Sequence, residues 1–316
     1  GKFKLDPPTY CIREITRPPG VPELGSSFGI AEINNRNQVV GSLFDGNRTH
    51  AFIWDRHRGT RYLGTLPGHN TAYASDINDW GQVVGASEVW ETGAIGAASF
   101  IWDERRGMRA LDASFGSGHH AAAINRFGQV AGTSYLPPSD VGIGPARAYF
   151  MERDGEVFNL GTLPGGNPET IGRALNDRGQ VLGVDQGPVN NQAFIWHKRR
   201  GLQPLVAPIP GTSVLPHAIN NRGEVVGLIM PPNFSRPFRW TAREGFQDLG
   251  SLGGRATDGG EALDINEWGT VVGWSQTADL LGRGFVKPRG SAMLNLQELI
   301  DVTDPLAPHA IIGAAD

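Results

Sequence analysis

The chain has 316 residues, with 28 Lys+Arg against 32 Asp+Glu and a formal net charge of -4, so it lacks the basic footprint of a nucleic-acid binder. Its one cysteine, Cys11, excludes an internal disulfide and a cysteine-based zinc site. No apolar run approaches the ~20 residues of a membrane span, and 44 glycines with 22 prolines favour short strands and tight turns over a helical solenoid.

From the N-terminus, residues 10–15 alternate like a strand and Pro18-Pro19-Gly20 closes it. A ten-residue unit then appears six times without a gap. It runs from Glu32 to Gly41, Asp76 to Gly85, Ala123 to Gly132, Ala174 to Gly183, Ala218 to Gly227 and Asp264 to Gly273. The clearest copy reads Asp76-Ile-Asn-Asp-Trp-Gly-Gln-Val-Val-Gly85. Asn starts a turn through its side chain and the Gly three residues on takes positive φ, so the unit predicts a tight hairpin ahead of a Val-Val strand. The first copy has Asn37 at that Gly position, and Asn is the non-Gly residue that best tolerates the left-handed region. The hairpin itself is expected to carry no chemistry.

A second shared element follows each hairpin, as His50-Ala-Phe-Ile-Trp54, Ser99-Phe-Ile-Trp102, Ala148-Tyr-Phe-Met151, Ala193-Phe-Ile-Trp196, Pro237-Phe-Arg-Trp240 and Gly284-Phe-Val286. These aromatic and β-branched runs predict strands, and His50 and the repeated tryptophans are assigned structural roles. A Gly-containing turn then leads to a third element, Leu63-Gly-Thr-Leu-Pro-Gly68 and its relatives at Leu160 and Leu249. Each repeat is thus four short strands. The anchors Asn34, Asn78, Asn125, Asn176, Asn220 and Asn266 recur at the period of a propeller blade. The expected fold is an all-β β-propeller of four-stranded blades in one domain over 1–316. Six repeats are complete, and the strand at 10–15 with Ala314-Ala-Asp316 leaves room for a partial seventh blade.

The three motifs, recurring in fixed order over nearly the whole chain, resemble the bacterial HAF family of extracellular repeats. The resemblance implies an exported, propeller-like protein of the extracellular space or cell envelope. It supplies no activity and no catalytic residues.

If the first strand of each blade is innermost, the Asn turns and the Arg-Arg-Gly turns share one end of the molecule. The long, dissimilar loops share the other, where loop-borne function is usually placed. Residues just before the Ile-Asn then meet at the loop end of a central channel: Tyr73, His119, His120, Arg173, His217 and Glu261. Such a set suits binding of a sugar or an anion, holding a metal, or proton abstraction. Trp90, Tyr135 and Trp274 are the loop-end aromatics. The outer turns carry Arg58, Arg105, Arg106, Arg199, Arg200 and Arg243, but Asp55, Asp103, Glu104 and Glu244 alternate with them, which predicts a solvated rim. The weak likeness of 76–81 to a calcium loop is off register, so no metal or cofactor is expected. The leading expectation is a monomeric, non-catalytic module that binds carbohydrate or another extracellular ligand. The alternative is a polysaccharide lyase or glycoside hydrolase at the same place.

Overall fold

The computed structural model describes residues 9–18, 26–89, 97–112, 118–137, 144–166, 169–187, 190–231 and 234–309. The architecture is an all-β six-bladed propeller of four-stranded antiparallel sheets, with short 3-10 turns at Leu296–Leu299 and Ala307–His309. Within every sheet the strands pair in chain order, and the blades occupy 27–62, 71–110, 118–159, 170–204, 213–248 and 260–295.

The Asn turn forms because one side chain satisfies several backbone groups at once. In blade 2 the Asn78 side-chain oxygen accepts from the N–H groups of Trp80 and Gln82, while its carbonyl accepts from Gly81. Gly81, Gly128, Gly179, Gly223 and Gly269 all have positive φ, between 69° and 83°, and Asn37 stands in at 57°. The Asn amide has a second use that turn chemistry alone does not reveal. It donates to the main-chain oxygen of the next blade's Asn, from Asn34 to Asn78 (3.0 Å), Asn78 to Asn125 (3.1 Å), Asn125 to Asn176 (3.2 Å) and Asn220 to Asn266 (3.1 Å). Each turn is therefore also a tie between sheets.

The core sits between successive sheets and is built from the same few repeat positions. The aromatic of the second motif is fully buried in all six blades, as Phe52, Phe100, Tyr149, Phe194, Phe238 and Phe285. Across the ladder each lies opposite the last Gly of the hairpin unit, such as Gly85 opposite Phe100 and Gly183 opposite Phe194. The two motif valines face opposite ways: Val83 packs with Val40 and Ile53 of blade 1, while Val84 packs with Ile124 and Tyr149 of blade 3. The motif Ile is buried at Ile77, Ile124, Ile219 and Ile265, but Ile33 is 55% exposed.

The chain divides into two compact units. Ile15–Ala207 holds blades 1 to 4, and Gly1–Glu14 together with Pro208–Asp316 holds blades 5 and 6. In the second, Tyr10 forms an isolated parallel bridge with Ile300 and the Ile12 N–H donates to Asp304 (2.7 Å). The strand expected over 10–15 thus reduces to this one bridge, because side-chain capping by Asp304 replaces ladder pairing at Ile12. Residues 314–316 lie outside the described residues.

Candidate binding site at the loop ends of the blades

The first strand of every blade carries one extra residue three positions before the motif Asn. Pairing skips Ala31, Ser75, Ala122, Arg173, His217 and Leu263 in turn. A bulge of this kind re-aims a side chain. Two positions earlier lie Tyr73, His120 and Glu261, whose main-chain oxygens press against Gly85, Gly132 and Gly273 so closely that a Cβ there would collide with them. The last Gly of the hairpin unit therefore fixes the backbone that presents these side chains. The sequence-predicted residues thus sort into the bulge itself, Arg173 and His217, and the position ahead of it, Tyr73, His120 and Glu261.

In the four-blade unit the structure brings Tyr73 and His120 to one acidic group. The Tyr73 hydroxyl is hydrogen-bonded to the Glu88 carboxylate and to Thr49 of blade 1, and burial followed by the Glu88 charge pushes its pKa up. Burial lowers the pKa of His120, against an opposing pull from the same Glu88, so at neutral pH the imidazole is uncharged. The His120 ring meets Tyr135 edge-on at 6.2 Å between centroids. Tyr135 and Glu88 occupy equivalent places, ten residues after the anchors Asn125 and Asn78.

His119, one residue before, has a different task. It is 8% exposed and its Nδ1 accepts the Ser99 N–H of the preceding blade (3.0 Å). Thr170 does the same in blade 4, where its hydroxyl oxygen accepts the Ala148 N–H (3.1 Å). Both residues stand six positions before the motif Asn, so the repeat uses this place for a blade-to-blade tie.

In the two-blade unit His217 and Glu261 meet. Nε2 of His217 lies 2.5 Å from the Glu261 carboxylate, out of line for a directed hydrogen bond. Glu261 also accepts from the Trp274 indole N–H (3.0 Å). Arg173 is half-buried at the bulge of blade 4. Trp90 lies outside the described residues. Among the described residues, no three His, Cys, Asp or Glu side chains are grouped to hold a metal ion, and no helix is long and apolar enough to cross a membrane.

Sequence reasoning missed Glu88 and Thr49. Glu88 fell inside a stretch read only as variable loop, and the signal that finds it is its fixed distance from the anchor. Glu224 was missed as well. It is 6% exposed where four other copies have Gln, and it receives hydrogen bonds from Asn220 (2.8 Å), Arg239 (2.5 Å) and Arg289 (2.5 Å). Burial pushes its pKa up, but the bonds from Arg289, Asn220 and Arg239 outweigh burial and hold it at about 2. Arg239 stands where the other blades have Ile53, Ile101, Phe150, Ile195 and Val286, all apolar, so two cations gather on this one carboxylate.

At the outer turn of blade 1 the charges offset, with Arg58 beside Glu104 at 3.1 Å. Asp55 accepts from the N–H groups of His57 and Arg58, and Arg61 bridges Asp55 and Glu104. His50 stacks on Tyr62 at 4.5 Å and bonds Asp45 at 2.8 Å.

No family model and no curated protein matches the chain. Solved structures similar to it include a prolyl endopeptidase, with TM-score 0.60, 11% identity, and coverage of 86% of this chain and 42% of that one. A post-proline cleaving enzyme from Rickettsia typhi gives TM-score 0.55, 9% identity, and coverage of 86% and 44%. A catalytically inactive virginiamycin B lyase from Staphylococcus aureus with quinupristin gives TM-score 0.52, 11% identity, and coverage of 86% and 85%. The chain spans less than half the length of the two peptidases. At such identities the likeness defines the chain as a propeller, a fold that hosts unrelated functions.

Proposed function

We propose that this chain is an exported HAF-type propeller acting as a binding module, with carbohydrate or another extracellular ligand met at the loop ends of its blades. The observation that carries this is the convergence of Tyr73 and His120 on Glu88, with Thr49 and Tyr135 beside them. A protonated phenol, a neutral imidazole and a carboxylate offer both donors and acceptors next to aromatic faces, which suits a hydroxyl-rich ligand. Proton abstraction by Tyr73 would need a lowered pKa, and its surroundings raise it, which supports a hydrogen-bonding role for this phenol over that of a base.

The test is calorimetric titration of a panel of oligosaccharides, with product analysis of each mixture. His120→Ala and Tyr73→Phe should each weaken the bound glycan about tenfold, as expected for loss of a partly buried hydrogen bond. Arg199→Ala combined with Arg200→Ala should change nothing. Affinity that followed the outer arginines and ignored His120 would place the ligand at the wrong end, and cleaved glycan would replace binding with catalysis.

A further inference from the structure

The tips of the Asn turns are not bland. Two residues after each anchor the copies carry Arg36, Trp80, Phe127, Arg178, Arg222 and Trp268, an arginine or an aromatic every time. A solvated turn position needs only a small polar residue, so large apolar rings there call for an explanation. Trp80 is 67% exposed and Phe127 49% exposed.

These rings are held, not loose. The Trp80 indole N–H donates to the Arg126 carbonyl of the next turn (2.9 Å), which pins the ring by its edge. The turns beneath are tied by the Asn35 N–H to Asp79 and the Arg126 N–H to Asp177, at 2.9 and 3.0 Å. Both carboxylates are thereby engaged with backbone, and Asp177 also meets the Arg126 guanidinium at 3.5 Å. A cation lies over each ring: the Arg36 guanidinium over Trp80 at 5.9 Å, and the Arg126 guanidinium, already paired with Asp177, over Phe127 at 4.7 Å.

We propose that the turn tips of blades 1 to 3 form a second binding surface, a pre-set aromatic platform for an acidic polysaccharide. The exposed indole and phenyl surfaces left beside the two guanidiniums take the C–H faces of successive sugar rings, and the Arg36 guanidinium takes a uronate carboxylate. Pinning the indole in advance cuts the ordering cost of binding, which is what a weak, extended ligand requires. This surface is independent of the loop-end site, since none of its residues belongs to the Tyr73 cluster.

The experiment titrates oligogalacturonate into the whole chain at low and moderate salt, with a neutral dextran oligomer and anionic phospholipid vesicles as parallel probes. Trp80→Ala and Phe127→Ala should each weaken oligogalacturonate about tenfold, and Trp80→Phe, which keeps a stacking face, should weaken it less. Binding should fall with salt. Thermal unfolding of each variant separates loss of platform from loss of fold. Absence of oligogalacturonate binding at millimolar concentration, equal affinity in Trp80→Ala, or Trp80-dependent attachment to vesicles instead would each overturn the proposal.

Discussion

Gly85 is required by sterics, not by its φ. A methyl group there would strike the main-chain oxygen of Tyr73 and the Phe100 ring, and neither can give way without disturbing a fully buried aromatic or the candidate site. Gly85→Ala should therefore destabilise by about 1–3 kcal/mol, as overpacking does, and should also weaken any ligand of Tyr73. Gly179 is different, since its φ of 69° excludes a β-branched residue, and Gly179→Val should cost more than ~1 kcal/mol. Denaturant midpoints measure both. Glu224 adds a pH dependence whose sign is set by its lowered pKa. The folded carboxyl titrates near 2, below its ordinary value of 4.5, so the stability it contributes is complete above pH 4.5 and is lost as pH falls toward 2. Glu224→Gln should flatten that limb of the stability curve and cost about 1–3 kcal/mol at neutral pH, because Arg239 and Arg289 lose their shared partner. An unchanged acid limb in the variant would remove Glu224 from the account.

At the level of the element, the Asn turn was legible and its consequences were not. Side-chain capping and a left-handed Gly are local chemistry, so six copies of Asn followed three residues on by Gly or Asn specify the turn before any tertiary contact forms. Cross-strand register is a different matter. The bulge at Arg173 and His217, the pressure of the Tyr73 carbonyl on Gly85, and the reach of Tyr73 to Glu88 all depend on which residues oppose each other across a ladder. Tyr73 and His120 could be named from their place before the anchor, whereas Glu88 needed its pairing. Ile33 shows the same limit, since its motif predicts burial and only the neighbouring element decides it. The two roles of the Asn can be separated by substitution. Asn125→Asp keeps the oxygen that accepts from Phe127 and Gln129 but removes the amide that donates to Asn176 and Gln129. It should retain the turn yet lose about 1–3 kcal/mol, and Asn125→Ala should lose more. Equal losses in the two variants would mean that the turn-capping oxygen contributes nothing, and an Asn125→Asp variant as stable as the parent would mean the same of the tie to the next blade.

For the whole molecule, repeated sheets joined by hydrogen bonds from one Asn to the next imply nearest-neighbour energetics, in which each blade stabilises mainly the blades beside it. Asn34 donates to the carbonyl of Asn78, and the Asn78 side chain holds that carbonyl's turn in place. Replacing Asn78 by Ala should loosen the turn and already weaken what Asn34 contributes. The double variant Asn34→Ala with Asn78→Ala should then cost less than the sum of the single losses, by about 0.5–1 kcal/mol. Asn34 and Asn125 share no hydrogen-bond partner, since one donates to blade 2 and the other to blade 4. Their double variant should be additive to within about 0.5 kcal/mol. Urea unfolding of the three singles and two doubles, fitted with a common slope, decides between the two patterns. If Asn34 and Asn125 coupled as strongly as Asn34 and Asn78, the unfolding unit would be larger than a pair of blades, and the blade-to-blade ties would have to act through the sheets rather than from turn to turn.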